Sequence, residues 1–412
     1  QGYQGLRELQ SQHNVSLFLQ LVASSDPQTK VQFLQLLVVL SSKSEAVQNL
    51  VRSDKDATAH LFSSLDNDQP MVRRWAMKLI YCISDGHPAG VPLPPSPAKE
   101  NVVNTLASIL TNSPDVEERS TAAGIISQLP ADDVIIDEIL RKSEALKAIH
   151  EVICSTDQEY NGIKSTTDLG TSLLENALAA LLRYTEPTKP ELQQQVGKLD
   201  LYPPLIRVLS RGTSLAKQRT ATALANLSIS TSLSVFDTTI MAKQASNSVP
   251  QLMKLFPSIY GWCSTSSENQ NLCSVHGSAC SPRDTFCLVK ADAVRPLVQS
   301  LSDADSGVAE AALMALETLL TDQSTLSHAA AAIVDNQGVV AILQVLEKGS
   351  SSPKSRALHL FQKILQHTTI SDPLFQRSER ILIQLLQDDA LKKKAALVLK
   401  QMNIIPEQSS YF

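Results

Sequence analysis

Aromatic residues make up only 4% of the 412 residues, and Leu, Ala, Gln and Ser dominate, which excludes an all-β reading. An excess of positive charge is missing too. Lys and Arg number 36 against 41 Asp and Glu, a net charge of −5, so the whole-chain footprint of a nucleic-acid binder is absent and no such partner is expected. Long apolar runs are absent: the densest, residues 34–40, falls far short of the ~18 residues that a membrane-spanning helix needs. The start carries no basic segment, apolar stretch and cleavage site, so nothing indicates secretion. Six cysteines at irregular intervals form no disulfide framework, and a reducing, cytoplasmic setting is expected. Gly-x-Ser-x-Gly, a phosphate-cradling glycine loop and His-Glu-x-x-His are all missing, so no catalytic residue is expected. His150, His359 and His367 fall on predicted helices as packing or surface residues, and Asp132-Asp133 and Asp388-Asp389 stand where helices start. The chain opens Gln1-Gly2-Tyr3 rather than with Met, which reads as a fragment of a longer protein.

What is present is a phrase of two helices that returns about every 45 residues. Its first half is apolar, as in Leu201-Tyr202-Pro203-Pro204-Leu205-Ile206-Arg207-Val208-Leu209, and it recurs at 293–301 and 339–346. Its second half is rich in Ala and Leu, clearest at 217–228. Cores of this second helix are predicted at 34–40, 76–83, 122–129, 177–184, 221–227, 311–319, 358–365 and 395–402. Turns such as Asp26-Pro27, Asn112-Ser113-Pro114 and Ser352-Pro353 precede several of them, with Pro at the helix start, where its missing N–H costs nothing. No such unit can bury its apolar face alone, so neighbours must stack. The expected fold is all-α: one right-handed α-solenoid of about eight or nine armadillo-type repeats, whose work is to hold other proteins.

Two interruptions break the rhythm. Residues 86–97 contain five prolines, including Leu93-Pro94-Pro95-Ser96-Pro97, and read as an extended surface loop. Residues 230–283 are rich in Ser, Thr and Asn and read as a long irregular insertion, with a short helix at 249–256 and with Trp262 and Cys263. The array then divides into N-terminal repeats at 1–229, the insertion at 230–283, and C-terminal repeats at 284–412.

Aligning the second helices gives one equivalent position in each: Val39, Cys82, Gln128, Arg183, Asn226, Thr318, Lys363 and Gln401. The spacing from Asn226 to Thr318 is close to two repeats, where the insertion lies. In nuclear-import armadillo proteins the equivalent position resembles a ladder of asparagines that grips an extended peptide. Here only Asn226 keeps the asparagine, which argues against a receptor for nuclear-localisation signals. Gln128, Arg183, Asn226, Thr318, Lys363 and Gln401 are the expected partner contacts of the groove, against the plainer reading of a solvated helix face.

The strongest chemical lead is Cys263…Cys273-x2-His276-x3-Cys280-x6-Cys287. Cys263, Cys273, His276 and Cys280 are residue types that hold zinc tetrahedrally, and such a site would order the loop. Paired Cys-x-x-Cys arms are lacking, however, and Cys287 lies in Thr285-Phe286-Cys287-Leu288-Val289, an apolar run that reads as the start of the next helix. The expectation from spacing is free thiols and no cofactor, zinc included. Lys392-Lys393-Lys394 is a small basic cluster, either a polar helix face or a contributor to binding an anionic membrane surface.

Residues 273–281, then 285–294 and Pro296-Leu297-Val298, resemble the armadillo region of plant U-box E3 ubiquitin ligases, and the ending 404–412 is similar to that of the senescence-associated group. The resemblance implies a substrate-recognition region whose partner is a protein. It implies an E2 enzyme only through an N-terminal U-box, and no such segment occurs in these 412 residues. It further implies a role in plant immunity and senescence, and a cytoplasmic protein associated peripherally with the plasma membrane. Two competing expectations are a non-enzymatic armadillo scaffold or adaptor, and an armadillo nucleotide-exchange factor for Hsp70.

Overall fold

The computed structural model describes residues 9–160, 168–247, 272–322 and 324–404. Among these residues every regular element is a helix, and they fall into two compact units, Gln1–Tyr184 and Thr185–Phe412.

The first unit holds α1 (Gln12–Ser24), α2 (Pro27–Ser41), α3 (Glu45–Ser53), α4 (Lys55–Ser63), α5 (Pro70–Ser84), α6 (Ala98–Asn112), α7 (Val116–Ser127), α8 (Val134–Lys142), α9 (Ala145–Tyr160) and nearly all of α10 (Asp168–Thr185). Local chemistry sets where these helices begin. Asp26 caps α2 through the N–H groups of Gln28 and Thr29 at 3.0 and 3.3 Å, with Pro27 as its first residue. Asp115 does the same for α7 through Glu117 and Glu118 at 2.8 and 3.4 Å. Asp133 caps α8 and also accepts from Lys99 Nζ at 2.6 Å. The inner helices α2, α5 and α7 then stack in sequence. Their apolar faces, including Leu34, Leu37, Ala76, Met77, Ile80, Ala122 and Ile126, are at most 1% exposed.

The second unit holds α11 (Pro190–Gly197), α12 (Tyr202–Arg211), α13 (Ser214–Asn247), α14 (Val294–Ser300), α15 (Ser306–Thr318), α16 (Leu326–Asp335), α17 (Gly338–Lys348), α18 (Ser351–His367), α19 (Asp372–Leu385) and α20 (Lys392–Gln401). Here α13, α15, α18 and α20 form the inner stack. Asp305 opens α15 by accepting from Gly307 N–H at 2.7 Å, the same device as in the first unit. Ala225, Leu227, Ala312, Leu316, Leu358, Phe361, Ala396 and Leu399 pack between the layers, none more than 1% exposed.

All eight predicted inner-helix cores fall on helices, those at 122–129, 311–319 and 395–402 overrunning the helix end by one or two residues, and the stack of inner helices expected from the 45-residue period is what each unit contains. The loop expected at 86–97 is free of helix. The insertion differs from its expectation at the start. Helix α13 runs straight through residue 230 to Asn247, so the first third of the supposed irregular stretch is helical. Weak helix formers such as Ser and Thr lower propensity by tenths of a kcal/mol each, too little to stop a helix already nucleated by a packed turn. The predicted helix at 249–256, Trp262 and Cys263 lie outside the described residues. Among the described residues no single helix is long and apolar enough to cross a membrane.

Candidate functional site

At six of the aligned ladder positions the side chain turns to the neighbouring repeat. Gln128 Nε2 donates to Asp85 Oδ1, just beyond α5, at 2.9 Å. Arg183 donates to the carbonyls of Leu129 and Pro130, just beyond α7, and meets Asp137 at 3.4 Å. Asn226 Nδ2 reaches Thr185 Oγ1 at 3.5 Å, and Thr318 Oγ1 donates to Ser228 Oγ at 2.6 Å. Lys363 Nζ donates to Leu320 O at 3.0 Å, and Gln401 Nε2 to Gln362 O at 3.0 Å. Arg183 and Lys363 reach backbone carbonyls just beyond the end of the preceding inner helix, Gln128 and Asn226 reach side-chain oxygens at its end, and Thr318 and Gln401 reach acceptors within it. The last carbonyls of a helix lack intrahelical partners and carry its negative dipole end, so a donor or cation from the next repeat suits that place. The ladder staples the stack.

This corrects the groove expectation for two residues in particular. Arg183 is 7% exposed and Thr318 8%, and both bond inside the protein, which leaves them little surface for a partner. Gln128, Asn226, Lys363 and Gln401 are half-buried and engaged in the same way. The helical period places residues on a face of the helix; it does not say whether a long side chain reaches outward or sideways.

A concave surface does exist in the first unit, one or two helical turns before the ladder positions. Val38, Lys78, Tyr81, Cys82, Glu117, Ser120, Thr121, Leu169, Ser172 and Asn176, from α2, α5, α7 and α10, line a cavity of about 300 Å³. Of the residues named from sequence, only Cys82 lines it. Burial, helped by the nearby Asp85 carboxylate, raises the Cys82 thiol above its ordinary pKa. One wall is charged. Lys78 lies over the Trp75 ring with its nitrogen 4.4 Å from the centroid and pairs with Glu117 at 2.5 Å. Beside it Arg73 grips the buried Glu118 through two nitrogens at 3.1 and 3.2 Å, and Arg74 pairs with Asp115 and Glu117. Stepping four or seven residues back from Cys82, Gln128 and Arg183 to Lys78, Thr121 and Asn176 follows one helix face, a signal the sequence does contain.

The second constellation lies between α13 and α14. Cys273, His276, Cys280 and Cys287 bring their sulfurs and one imidazole nitrogen within 4.8 Å of one another. His276 Nδ1 stands 3.4 Å from each of the three sulfurs, and the Cys273 and Cys287 sulfurs are 3.8 Å apart. None of the three thiols is in a disulfide. The backbone builds this convergence. Cys273 N–H donates to Ser278 O at 2.8 Å and Gly277 N–H to Cys273 O at 2.9 Å, with Gly277 at φ +61°, a tight turn that sets Cys273, His276 and Cys280 around one point. Cys287 N–H donates to Ser281 O at 3.1 Å, which returns the chain to the cluster. The segment is anchored outside by Tyr202 Oη donating to Phe286 O at 2.8 Å and Thr231 Oγ1 donating to Thr285 O at 2.6 Å.

Cys287 is therefore corrected: it does not open a helix. Phe286 at φ +55° and Asp292 at φ +55° break any helix there, and α14 begins only at Val294. Hydrogen bonds with Cys280 and Cys287 pull the Cys273 thiol well below the ordinary range. Its bonds to Cys273 and Cys280, with burial, hold Cys287 well above it. Burial alone would lower His276, but its contacts with Cys273 and Cys280 outweigh that and carry it to about 9.

In sequence the chain is similar to plant proteins. No family model matches the chain. It is 26% identical to U-box domain-containing protein 43 of Arabidopsis thaliana over 98% of this chain and 50% of that protein. It is 25% identical to U-box domain-containing protein 44 of the same plant, again over 98% and 50%, and 24% identical to U-box domain-containing protein 24 of Oryza sativa subsp. japonica over 96% and 48%. The resemblance read from residues 273–298 thus extends over nearly the whole chain, and the chain spans about half the length of these curated relatives. Among solved structures, a designed armadillo repeat protein is 15% identical over 73% of this chain and 100% of its own, with a TM-score of 0.46. An engineered protein is 20% identical over 94% and 88%, with a TM-score of 0.47.

Proposed function

We propose that this chain is the partner-recognition half of a plant U-box-type E3 ubiquitin ligase. It would hold a protein target while a U-box elsewhere in the parent protein presents the ubiquitin-charged E2. The observation that carries this reading is the extent of the similarity: 98% of the chain aligns with half of proteins whose names carry the U-box. The cavity on α2, α5, α7 and α10 supports a protein partner. It is lined by Val38 and Leu169, by Asn176, Ser172 and Thr121, whose polar groups also bond within the unit, and by the Lys78–Glu117 pair. That mixture suits a peptide segment with both apolar and polar groups. The work is cytoplasmic on this reading. Any peripheral membrane contact would fall to Lys393 and Lys394, exposed in the first turn of α20.

The test is affinity capture from plant extract with the 412-residue chain, followed by ubiquitination of the captured proteins with the parent protein, E1 and E2. Val38→Arg with Leu169→Arg fills the cavity with charge while altering no buried side chain. Partner capture is expected to weaken about 10-fold or more, about 1.4 kcal/mol, with the melting temperature unchanged. Capture that ignores the double variant would remove the cavity from the reading. Captured proteins that the parent protein never modifies would remove the ligase.

A further inference from the structure

We infer that Cys273, His276, Cys280 and Cys287 form a structural zinc site, one that holds the chain between α13 and α14 in place of a packed helix. This inference is independent of the ligase reading.

The distances carry it. A tetrahedral zinc with Zn–S of about 2.3 Å and Zn–N of about 2.0–2.1 Å separates two sulfur ligands by about 3.8 Å, and a sulfur from a nitrogen by about 3.5–3.6 Å. The cluster has its Cys273–Cys287 sulfurs at 3.8 Å and three sulfur–nitrogen distances of 3.4 Å. Hydrogen bonding among thiols does not account for this arrangement. A neutral imidazole nitrogen has one lone pair and accepts one S–H, yet three sulfurs converge on the same Nδ1 at the same distance. A disulfide does not account for it either, since bonded sulfurs lie about 2.05 Å apart.

The surroundings are those of bound thiolates. Cys273 is 2% exposed and Cys287 is fully buried, so solvent cannot compete for the inner face. The donor set, three thiolates and one imidazole, selects zinc over the hard cations magnesium and calcium. Few apolar side chains are buried between residues 272 and 292, chiefly Val275, Phe286 and Leu288, so hydrophobic packing is thin where the cluster sits. A cross-link among four residues spaced over fifteen positions supplies what packing does not.

Chemically, zinc binding displaces protons: each thiol gives up its proton to solvent, the imidazole binds in its neutral form, and no electron is transferred. The metal should therefore leave as the pH falls, when the ligands are reprotonated.

The experiment is metal analysis of the 412-residue protein, prepared without an affinity tag and without chelator, joined to cobalt substitution. About one zinc per chain is expected, and cobalt(II) should give the sulfur-to-metal charge-transfer band and tetrahedral spectrum of a three-thiolate site. Cys273→Ser and Cys287→Ser should each lose the metal. Cys82→Ser with Cys154→Ser should keep it, and His276→Cys should keep it with a changed cobalt spectrum, which separates loss of a ligand from loss of the fold. Zinc-free protein that takes up no cobalt would overturn the inference. So would metal that survives Cys273→Ser and Cys287→Ser, or a disulfide among the three thiols in freshly purified protein.

Discussion

Residues 85–97 in the first unit and 272–293 in the second both leave the helical rhythm, but they are fastened by different chemistry. The proline-rich stretch is tied by ordinary donors: Arg52 Nη1 donates to Ile83 O and Gly90 O, both at 2.8 Å, and Val91 N–H donates to Gln128 O at 3.0 Å with its own side chain buried. Its prolines have already removed much of the backbone freedom that folding would have to overcome, so a few bonds suffice. The later stretch holds Pro282 but is otherwise rich in small polar residues, whose freedom proline does not curb, and it gathers three sulfurs and an imidazole at its centre. The comparison teaches that a repeat stack tolerates a missing helix when something else fixes the chain, and that a stiff backbone and a cross-link are two solutions to one entropic cost.

The largest effect should come from removing the cross-link. Zinc chelation, or Cys287→Ser, is expected to expose residues 272–293 to limited proteolysis and lower the stability of the second unit, while the first unit keeps its protection. Equal protection in both units after chelation would break the comparison. Acidification should reproduce the effect in the second unit, because protonated ligands release the metal as pH falls.

Next comes the ladder. Arg183→Met keeps much of the volume but removes the donors to Leu129 and Pro130, leaving carbonyls at the end of α7 without that partner. A loss of about 3 kcal/mol is expected in chemical denaturation, with partial recovery in Arg183→Lys. If Arg183→Met were neutral in stability yet abolished partner capture, the residue would belong to the groove after all.

A slightly smaller effect is expected at the two glycines that admit each stretch. Gly90 sits at φ +58°, and an added Cβ would lie 2.2 Å from Gln128 O, so Gly90→Ala should cost about 2–3 kcal/mol in the first unit. Gly197 has ordinary backbone angles, but its Cβ would lie 2.2 Å from Arg283 O, so Gly197→Ala should cost about 1–3 kcal/mol. Only Gly197→Ala should also speed zinc loss, read as the rate at which a chromogenic chelator takes the metal. Smallest is Lys363→Ala, which gives up one bond to Leu320 O from a half-buried position and should cost about 1 kcal/mol by the same denaturation assay.

Much of the fold was legible because it is periodic. Inner-helix cores such as 76–83 and 311–319 follow from apolar spacing alone, and Asp26-Pro27 announces its helix before any packing is considered. The ladder was legible as a set of equivalent positions but not as a set of staples. What Arg183 touches depends on where α7 ends, and that is a property of another repeat. The cluster was half legible. Cys273, His276 and Cys280 stand together in sequence, but Cys287 hides among Phe286, Leu288 and Val289, whose apolar pattern imitates a helix. Two residues with positive φ, Phe286 and Asp292, decide against that helix, and neither is a glycine that would have flagged it. Residues 230–247 were misjudged for the converse reason: Ser and Thr suggest a loop only where no helix is already running.

The most direct measurement is amide hydrogen exchange on the zinc-loaded and chelated protein. The account predicts that chelation strips protection from the amides of Cys273, Gly277 and Cys287, whose bonds close the turns around the cluster, and leaves Gly90 and Val91 as slow as before. Unchanged protection at Cys273, Gly277 and Cys287 would contradict it.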